Sequence, residues 1–196
     1  MPIQNNQQLQ LANDFLSYTG QNIFLTGKAG TGKTTFLKTL KKNSPKRMVV
    51  VAPTGVAAIN AGGVTIHSFF QLPFSPHVPG GNPQHERTQR FSKNKINIIR
   101  SLDLLVIDEI SMVRADMLDA IDEVLRRFKD RRKPFGGVQL LMIGDLQQLA
   151  PVVKDEDWEI LGKYYETAFF FSSHALQKSP FTGIELRHIY RQSDQE

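Results

Sequence analysis

The chain has no cysteine in 196 residues. Disulfides, thiolate metal sites and cysteine nucleophiles are therefore excluded. No apolar run reaches the roughly 20 residues that cross a bilayer. The opening Met1-Pro2-Ile3-Gln4-Asn5-Asn6 carries no charged side chain. It lacks the basic-then-apolar layout of a secretory signal and the arginine-rich pattern of a transit peptide. Internal repeats and low-complexity tails are also absent. These absences lead us to expect a soluble, intracellular protein.

What is present is ordinary in bulk. Apolar residues make up 40% and charged residues 22%, as in globular domains. The length suits one domain, or one domain with an insertion. The net charge of +5 fits a polyanionic partner without requiring one. Continuous apolar runs read as strands buried on both faces: 22–26, 47–52, 102–107 and 138–143. Weaker strand candidates lie at 168–171 and 183–186. Helical patterns fall at 7–19, 34–42 and 115–129. In the last, Met117, Leu118, Ile121, Val124, Leu125 and Phe128 make one apolar face, which reads as core packing. Strands alternating with helices predict a parallel α/β sheet with right-handed crossovers and ligands at the strands' carboxyl ends. The segment 73–95 breaks the rhythm with four prolines and a Gly80-Gly81 pair. It reads as a surface excursion or small insertion.

Gly27-Lys28-Ala29-Gly30-Thr31-Gly32-Lys33-Thr34 fits the phosphate-binding pattern G-x-x-x-x-G-K-[ST] at every fixed position. Glycines let successive N–H groups turn inward around an anion. Lys33 supplies a mobile charge for the β- and γ-phosphates, and Thr34 a hydroxyl for Mg²⁺. A strand precedes the loop and a helix opens at Thr35, so the helix N-terminus would face the phosphates. A nucleoside-triphosphate site follows.

Two further segments end buried strands. Leu104-Leu105-Val106-Ile107 runs into Asp108-Glu109, where Asp108 would join the Mg²⁺ shell and Glu109 would polarise an attacking water. A solvated strand end is the bland alternative. The glutamate favours a hydrolase over a small-molecule kinase, which must exclude water. Gly144-Asp145-Leu146-Gln147-Gln148-Leu149 follows another strand, and its amides can donate to a γ-phosphate; a plain strand-to-loop turn is the alternative.

Taken in order, the phosphate loop, Asp108-Glu109, the GDxxQL segment and Tyr190-Arg191-Gln192 resemble the first motor domain of superfamily 1B DNA helicases. The PIF-type branch, related to RecD, is the most similar. Ala52-Pro53-Thr54-Gly55-Val56-Ala57-Ala58 and Thr65-Ile66-His67-Ser68-Phe69-Phe70 are similar to that branch's single-strand-binding motif. Asp108-Glu109-Ile110-Ser111-Met112-Val113 is similar to its Walker B extension. The resemblance covers roughly residues 6–194 and implies a RecA-like P-loop NTPase fold. It implies ATP and Mg²⁺ as cofactors, single-stranded DNA as partner, no membrane, a monomer, and a cytoplasmic, nucleoid-associated location if the source is bacterial.

Carried over by position, the resemblance makes Lys33 and Thr34 phosphate and Mg²⁺ ligands, within a cradle of Gly27, Ala29, Gly30, Thr31, Gly32 and Thr35. Asp108 becomes the second Mg²⁺ contact, Glu109 the catalytic base and Gln148 the γ-phosphate sensor. Arg191 becomes a guanidinium on the same phosphate. The adenine-reading glutamine falls among Gln7, Gln8 and Gln10, with Gln8 or Gln10 preferred. Pro53, Thr54, Gly55, Val56 and Thr65 would grip DNA phosphates. His67 would contact phosphate or stack on a base, or merely pack its helix; Phe69 would stack if exposed, though core is commoner.

The excursion at 73–95 falls where the family carries a wedge-like insertion, so His77, His85, Arg87, Arg90, Lys93 and Lys95 would line the DNA path or a solvated loop. Arg126, Arg127, Lys129, Arg131, Arg132 and Lys133 read first as a helix end complementing its dipole, and second as a DNA contact. Where the family often has Pro-Pro-Val, this chain has Ala150-Pro151-Val152, a change expected to alter loop stiffness only. The second RecA-like domain of the family is expected to be missing from these 196 residues, so the chain alone should not unwind DNA. A nucleotide switch without catalysis, a small-molecule kinase and a clamp-loader or initiator ATPase remain the rival readings.

Overall fold

Leu104–Ile107 contains no polar side chain, and the fold buries all four residues. A strand so covered lies inside a sheet with layers on both faces. The computed structural model describes residues 6–80 and 91–190. Its elements run α1 (Gln7–Tyr18), β1 (Asn22–Gly27), α2 (Lys33–Asn43), β2 (Met48–Ala52), α3 (Gly55–Ala61), β3 (Val64–Thr65) and α4 (Ile66–Phe70). After residue 90 come α5 (Lys93–Ser101), β4 (Leu104–Ile107), α6 (Ala115–Phe128), β5 (Gln139–Gly144), α7 (Asp155–Leu161), α8 (His174–Gln177) and β6 (Phe181–Leu186).

The six strands form one sheet in the order β3-β2-β4-β5-β1-β6. Every pairing is parallel, with Val50 beside Val106, Val106 beside Leu141, and Ile23 beside both Leu141 and Thr182. This is the expected α/β sheet of a P-loop NTPase, sandwiched by helices.

Alternation along each strand divides the core in two. Leu104 and Val106 share one face with Ile23, Leu25, Leu141 and Ile143, under Leu9 and Leu16 of α1 and Phe36, Leu37 and Leu40 of α2. Leu105 and Ile107 share the other with Phe24, Leu140 and Met142, under Leu118, Ile121, Val124 and Leu125 of α6. Each such aliphatic contributes about 1.5–3 kcal/mol on full burial, so α6 is held by its apolar face rather than by helix propensity. No helix among the described residues is long and apolar enough to cross a membrane.

Two expectations change. The weak strand at 168–171 is a turn, because its backbone bonds close locally. Phe170–Ser172 is a 3-10 helix, with Ser172 N–H donating to the Phe169 carbonyl at 2.9 Å. Among the described residues one isolated antiparallel bridge, Arg114 to Phe169, pairs its backbone with another segment. The excursion also ends earlier than 95, since Lys93 and Lys95 already belong to α5, capped by Ser92. His85, Arg87 and Arg90 lie outside the described residues.

The basic run at 126–133 takes its structural reading. Arg126 donates to the Arg131 carbonyl at 2.6 Å and pairs with Asp122, while Lys129 Nζ donates to the carbonyls of Arg100 and Leu102. Arg127 lies over the Phe128 ring. Leu102 precedes β4, so this run sits at the sheet's amino edge, opposite the motifs.

Candidate nucleotide and nucleic-acid site

β1, β2, β4 and β5 end at the same edge and deliver the phosphate loop, Pro53-Thr54, Asp108-Glu109 and Gly144-Asp145 respectively. Close packing demands the glycines here. Gly27 has φ 150, and a Cβ on it would lie 2.6 Å from the Leu186 carbonyl oxygen and 2.9 Å from Thr31 Oγ1. A Cβ on Gly144 would lie 2.9 Å from Ile110 Cγ2 and 3.1 Å from the Ser111 nitrogen. Gly144 therefore lets β5 end hard against the loop after Asp108-Glu109.

α2 starts at Lys33 without a side-chain cap, leaving its first N–H groups to an incoming anion. Thr31 is buried and donates to the Lys28 carbonyl at 2.8 Å, fixing the loop. Ala29, Thr34 and Thr35 are exposed, and Gly30 and Gly32 are half-exposed. Lys33 folds back, with Nζ donating to the carbonyls of Gly27 and Lys28. Burial lowers its pKa, against the opposing pull of Asp145, Glu109 and Asp108.

Asp108 and Glu109 are both half-buried, and burial together with Glu109 pushes Asp108 up to about 6. A carboxylate placed this way gains from a cation beside it. Among the described residues no three acidic or histidine side chains gather as a closed metal cage. Mg²⁺ needs no such cage, since it keeps waters and phosphate oxygens in its shell and takes only one or two protein oxygens. Thr34 and Asp108 fit that role. Glu109 adopts φ 53, a left-handed conformation uncommon for a glutamate. Such strain of about 1–3 kcal/mol concentrates at functional sites.

Gln148 is exposed, and its amide donates to Asp145 Oδ2 at 2.9 Å. Asp145 is buried and also accepts the Gln147 N–H at 3.0 Å. Sequence reasoning quoted this segment but gave Asp145 no role. Its signal was an acid directly after a buried strand, as at Asp108. Two other residues have roles that the sequence did not show, although Tyr190 stands in the motif Tyr190-Arg191-Gln192. Tyr190 donates its N–H to the Gly30 carbonyl at 3.0 Å, and its ring lies 3.5 Å from where a Gly32 Cβ would stand. Asn6 caps α1 and donates to the Tyr190 hydroxyl at 3.1 Å. Both brace the phosphate loop from distant sequence, which no local pattern reveals. Arg191 itself lies outside the described residues. Of the adenine candidates, exposed Gln10 spends its amide on Asp14 at 2.8 Å, and Gln7 is exposed. Gln8 is half-buried beside Leu9, whose side chain approaches Gly32.

The DNA candidates cluster at the ends of β2 and β3. Thr54 caps α3 through the Ala57 N–H and Thr65 caps α4 through the Ser68 N–H. Each hydroxyl keeps its own proton to donate. Thr54, Gly55 and Val56 are exposed, while Pro53 and Thr65 are half-exposed. Phe69 corrects an expectation. It is 4% exposed, packs edge-on to Phe70 and carries Lys95 over its ring, so no base can stack on it. His67 is half-buried, and burial and Arg114 lower its pKa.

A family model described as PIF1-like helicase matches residues 4–196. The ATP-dependent DNA helicase PIF1 of Homo sapiens is 37% identical over 181 residues, covering 90% of this chain and 26% of that protein. The Emericella nidulans protein of the same name is 38% identical over 186 residues, covering 90% and 23%. The Bacteroides Pif1 helicase solved with ADP-AlF3 and ssDNA is 45% identical with a TM-score of 0.91, covering 99% of this chain and 44% of that one. The chain thus spans about a quarter of the length of these two curated relatives. With a family model matched across residues 4–196, and with the phosphate loop, acidic pair and amide loop on one edge, the chain belongs to the PIF1-like helicase family.

Proposed function

We propose that this chain is the ATP-binding and ATP-hydrolysing motor domain of a 5′-to-3′ DNA helicase that tracks on single-stranded DNA. One observation carries the reading: β4, β5 and β1 lie side by side and end at one edge, which brings Asp108-Glu109, Asp145 and the phosphate loop with Lys33 together. The relative solved with ADP-AlF3 and ssDNA supports it.

In this reading the N–H groups from Gly27 to Thr35 cradle the phosphates. Lys33 leaves the carbonyls of Gly27 and Lys28 for the β- and γ-phosphates. Thr34 and Asp108 hold Mg²⁺, which when bound neutralises charge on the phosphate oxygens. Glu109 accepts a proton from a water aligned with the γ-phosphate. Gln148, set by Asp145, reports that phosphate, and Arg191 adds a guanidinium. Gln8 reads the adenine. Thr54 and Thr65 hold DNA phosphates. The domain acts as a monomer whose fast turnover and unwinding depend on a second RecA-like domain; without a guanidinium from it, hydrolysis drops by roughly three to five orders of magnitude.

ATP turnover by these 196 residues, with and without oligo-dT and beside Lys33→Ala, tests this. We expect nucleotide binding with slow turnover, both lost in the variant. Phosphoryl transfer to a small alcohol instead of water would establish the kinase alternative, and an absence of nucleotide binding would end the reading.

A further inference from the structure

Phe74 is a large apolar ring, yet it is 84% exposed. It is not loose. Its ring stacks on His67 with centroids 4.5 Å apart and planes 21° apart. The segment carrying it is pinned on both sides. Leu72 packs against the core, and its N–H donates to the His67 carbonyl at 3.2 Å. His77 donates its N–H to Asp116 Oδ2 at 2.9 Å, and its ring meets Glu123 Oε1 at 3.1 Å. Between α4 and Leu72, Gln71 at φ 53 turns the chain back over the helix. The ring is thus placed before any ligand arrives.

We propose that Phe74, backed by His67, is a stacking platform for a nucleobase of single-stranded DNA. This inference rests on the DNA-binding reading above and deepens it. α4 begins directly after Thr65, so His67, which backs the platform, lies two residues from a hydroxyl that would hold the backbone. It supplies the base contact that buried Phe69 cannot. Burial and Arg114 favour a neutral His67 imidazole, which backs the Phe74 ring as a flat surface instead of a charge. The Asp116 carboxylate nearby is paired with Arg114 at 2.7 Å, which limits its repulsion of DNA. Every base offers a π face, so such a platform binds without sequence preference.

The test titrates the chain with oligo-dT and with an abasic strand of equal length. Phe74→Ala should weaken oligo-dT binding about five-fold or more. Abasic affinity and the salt slope should stay unchanged, because no phosphate contact is lost. Phe74→Trp, in a Trp158→Phe background, should bind normally and lose emission on oligo-dT but not on the abasic strand. Equal losses on both strands, an unchanged affinity, or no quenching would each overturn the platform. Should the unaltered chain ignore oligo-dT, the DNA-binding reading falls and takes this inference with it. Normal binding by the chain and by Phe74→Ala alike would sink the platform alone.

Discussion

At the amino edge of the sheet, polar side chains occupy one another. Asn22 accepts the Leu140 N–H at 2.8 Å and donates to Ser179 Oγ at 2.8 Å. Gln139 donates to the Gln21 carbonyl at 2.6 Å and accepts from Lys46 at 2.5 Å. Arg47 forks onto Asp103 at 2.9 and 3.0 Å. At the carboxyl edge the same sheet ends in a left-handed Glu109, a lysine resting on loop carbonyls and exposed Val56, Phe74 and Leu149. The amino edge satisfies its groups internally and contributes stability. The carboxyl edge leaves groups in strained or provisional states, and the proposed function places the chemistry there. Identical strands support both, so the division lies in which side chains follow and precede them.

Substitution should split the edges by readout. Glu109→Gln should cut single-turnover phosphate release by about 10²–10⁴ while leaving nucleotide affinity and melting temperature intact. A matching fall in melting temperature would mean that Glu109 is structural and that the contrast is false. Asn22→Ala should do the reverse. It strands a buried Leu140 N–H, costs about 2–3 kcal/mol and lowers Tm by roughly 4–12 °C. Phosphate release per folded molecule should not change.

Asp145→Asn sharpens the carboxyl side. It keeps the shape of the side chain but removes the charge that sets Gln148 and faces Lys33. Turnover should fall about tenfold, the order of one lost charge-assisted hydrogen bond. Unchanged turnover would mean that Gln148 orients without help.

Legibility in the sequence followed the same division. Runs such as 102–107 and 138–143 declared the sheet, because strands buried on both faces are almost continuously apolar, Gln139 being the polar exception at the start of β5. Lys33, Thr34, Asp108 and Glu109 were legible as candidates because local spacing singles them out, and the sheet brings them to one edge. The short α3, β3 and α4 were not, since seven, two and five residues are too few to show a period. The bracing roles of Tyr190 and Asn6 were invisible for a different reason. The two residues meet across 184 positions, and only the folded sheet brings β6 and α1 to the phosphate loop. Phe69 and Phe74 show the limit most plainly. Both are phenylalanines within one stretch, and only packing tells which is core and which faces water.

The smallest effect concerns two histidines that share one cluster but shift in opposite directions. His67 is lowered by burial and Arg114, while burial of His77 is outweighed by Glu123, Asp116 and Asp119, which raise it. A raised histidine stabilises the fold fully below its unfolded pKa near 6.5, and the gain disappears as pH rises through the folded value. His67 has the opposite sign, so a melt of the unaltered chain mixes the two. Comparison with Glu123→Gln isolates His77. The unaltered chain should melt higher than Glu123→Gln at pH 5.5, by under about 1 kcal/mol because the pair is partly solvated. The two should converge by pH 8.5. A difference that stays constant across that range would mean the contact works as a neutral hydrogen bond. His77 would then pin the Phe74 segment at any pH, as the amino-edge contacts do.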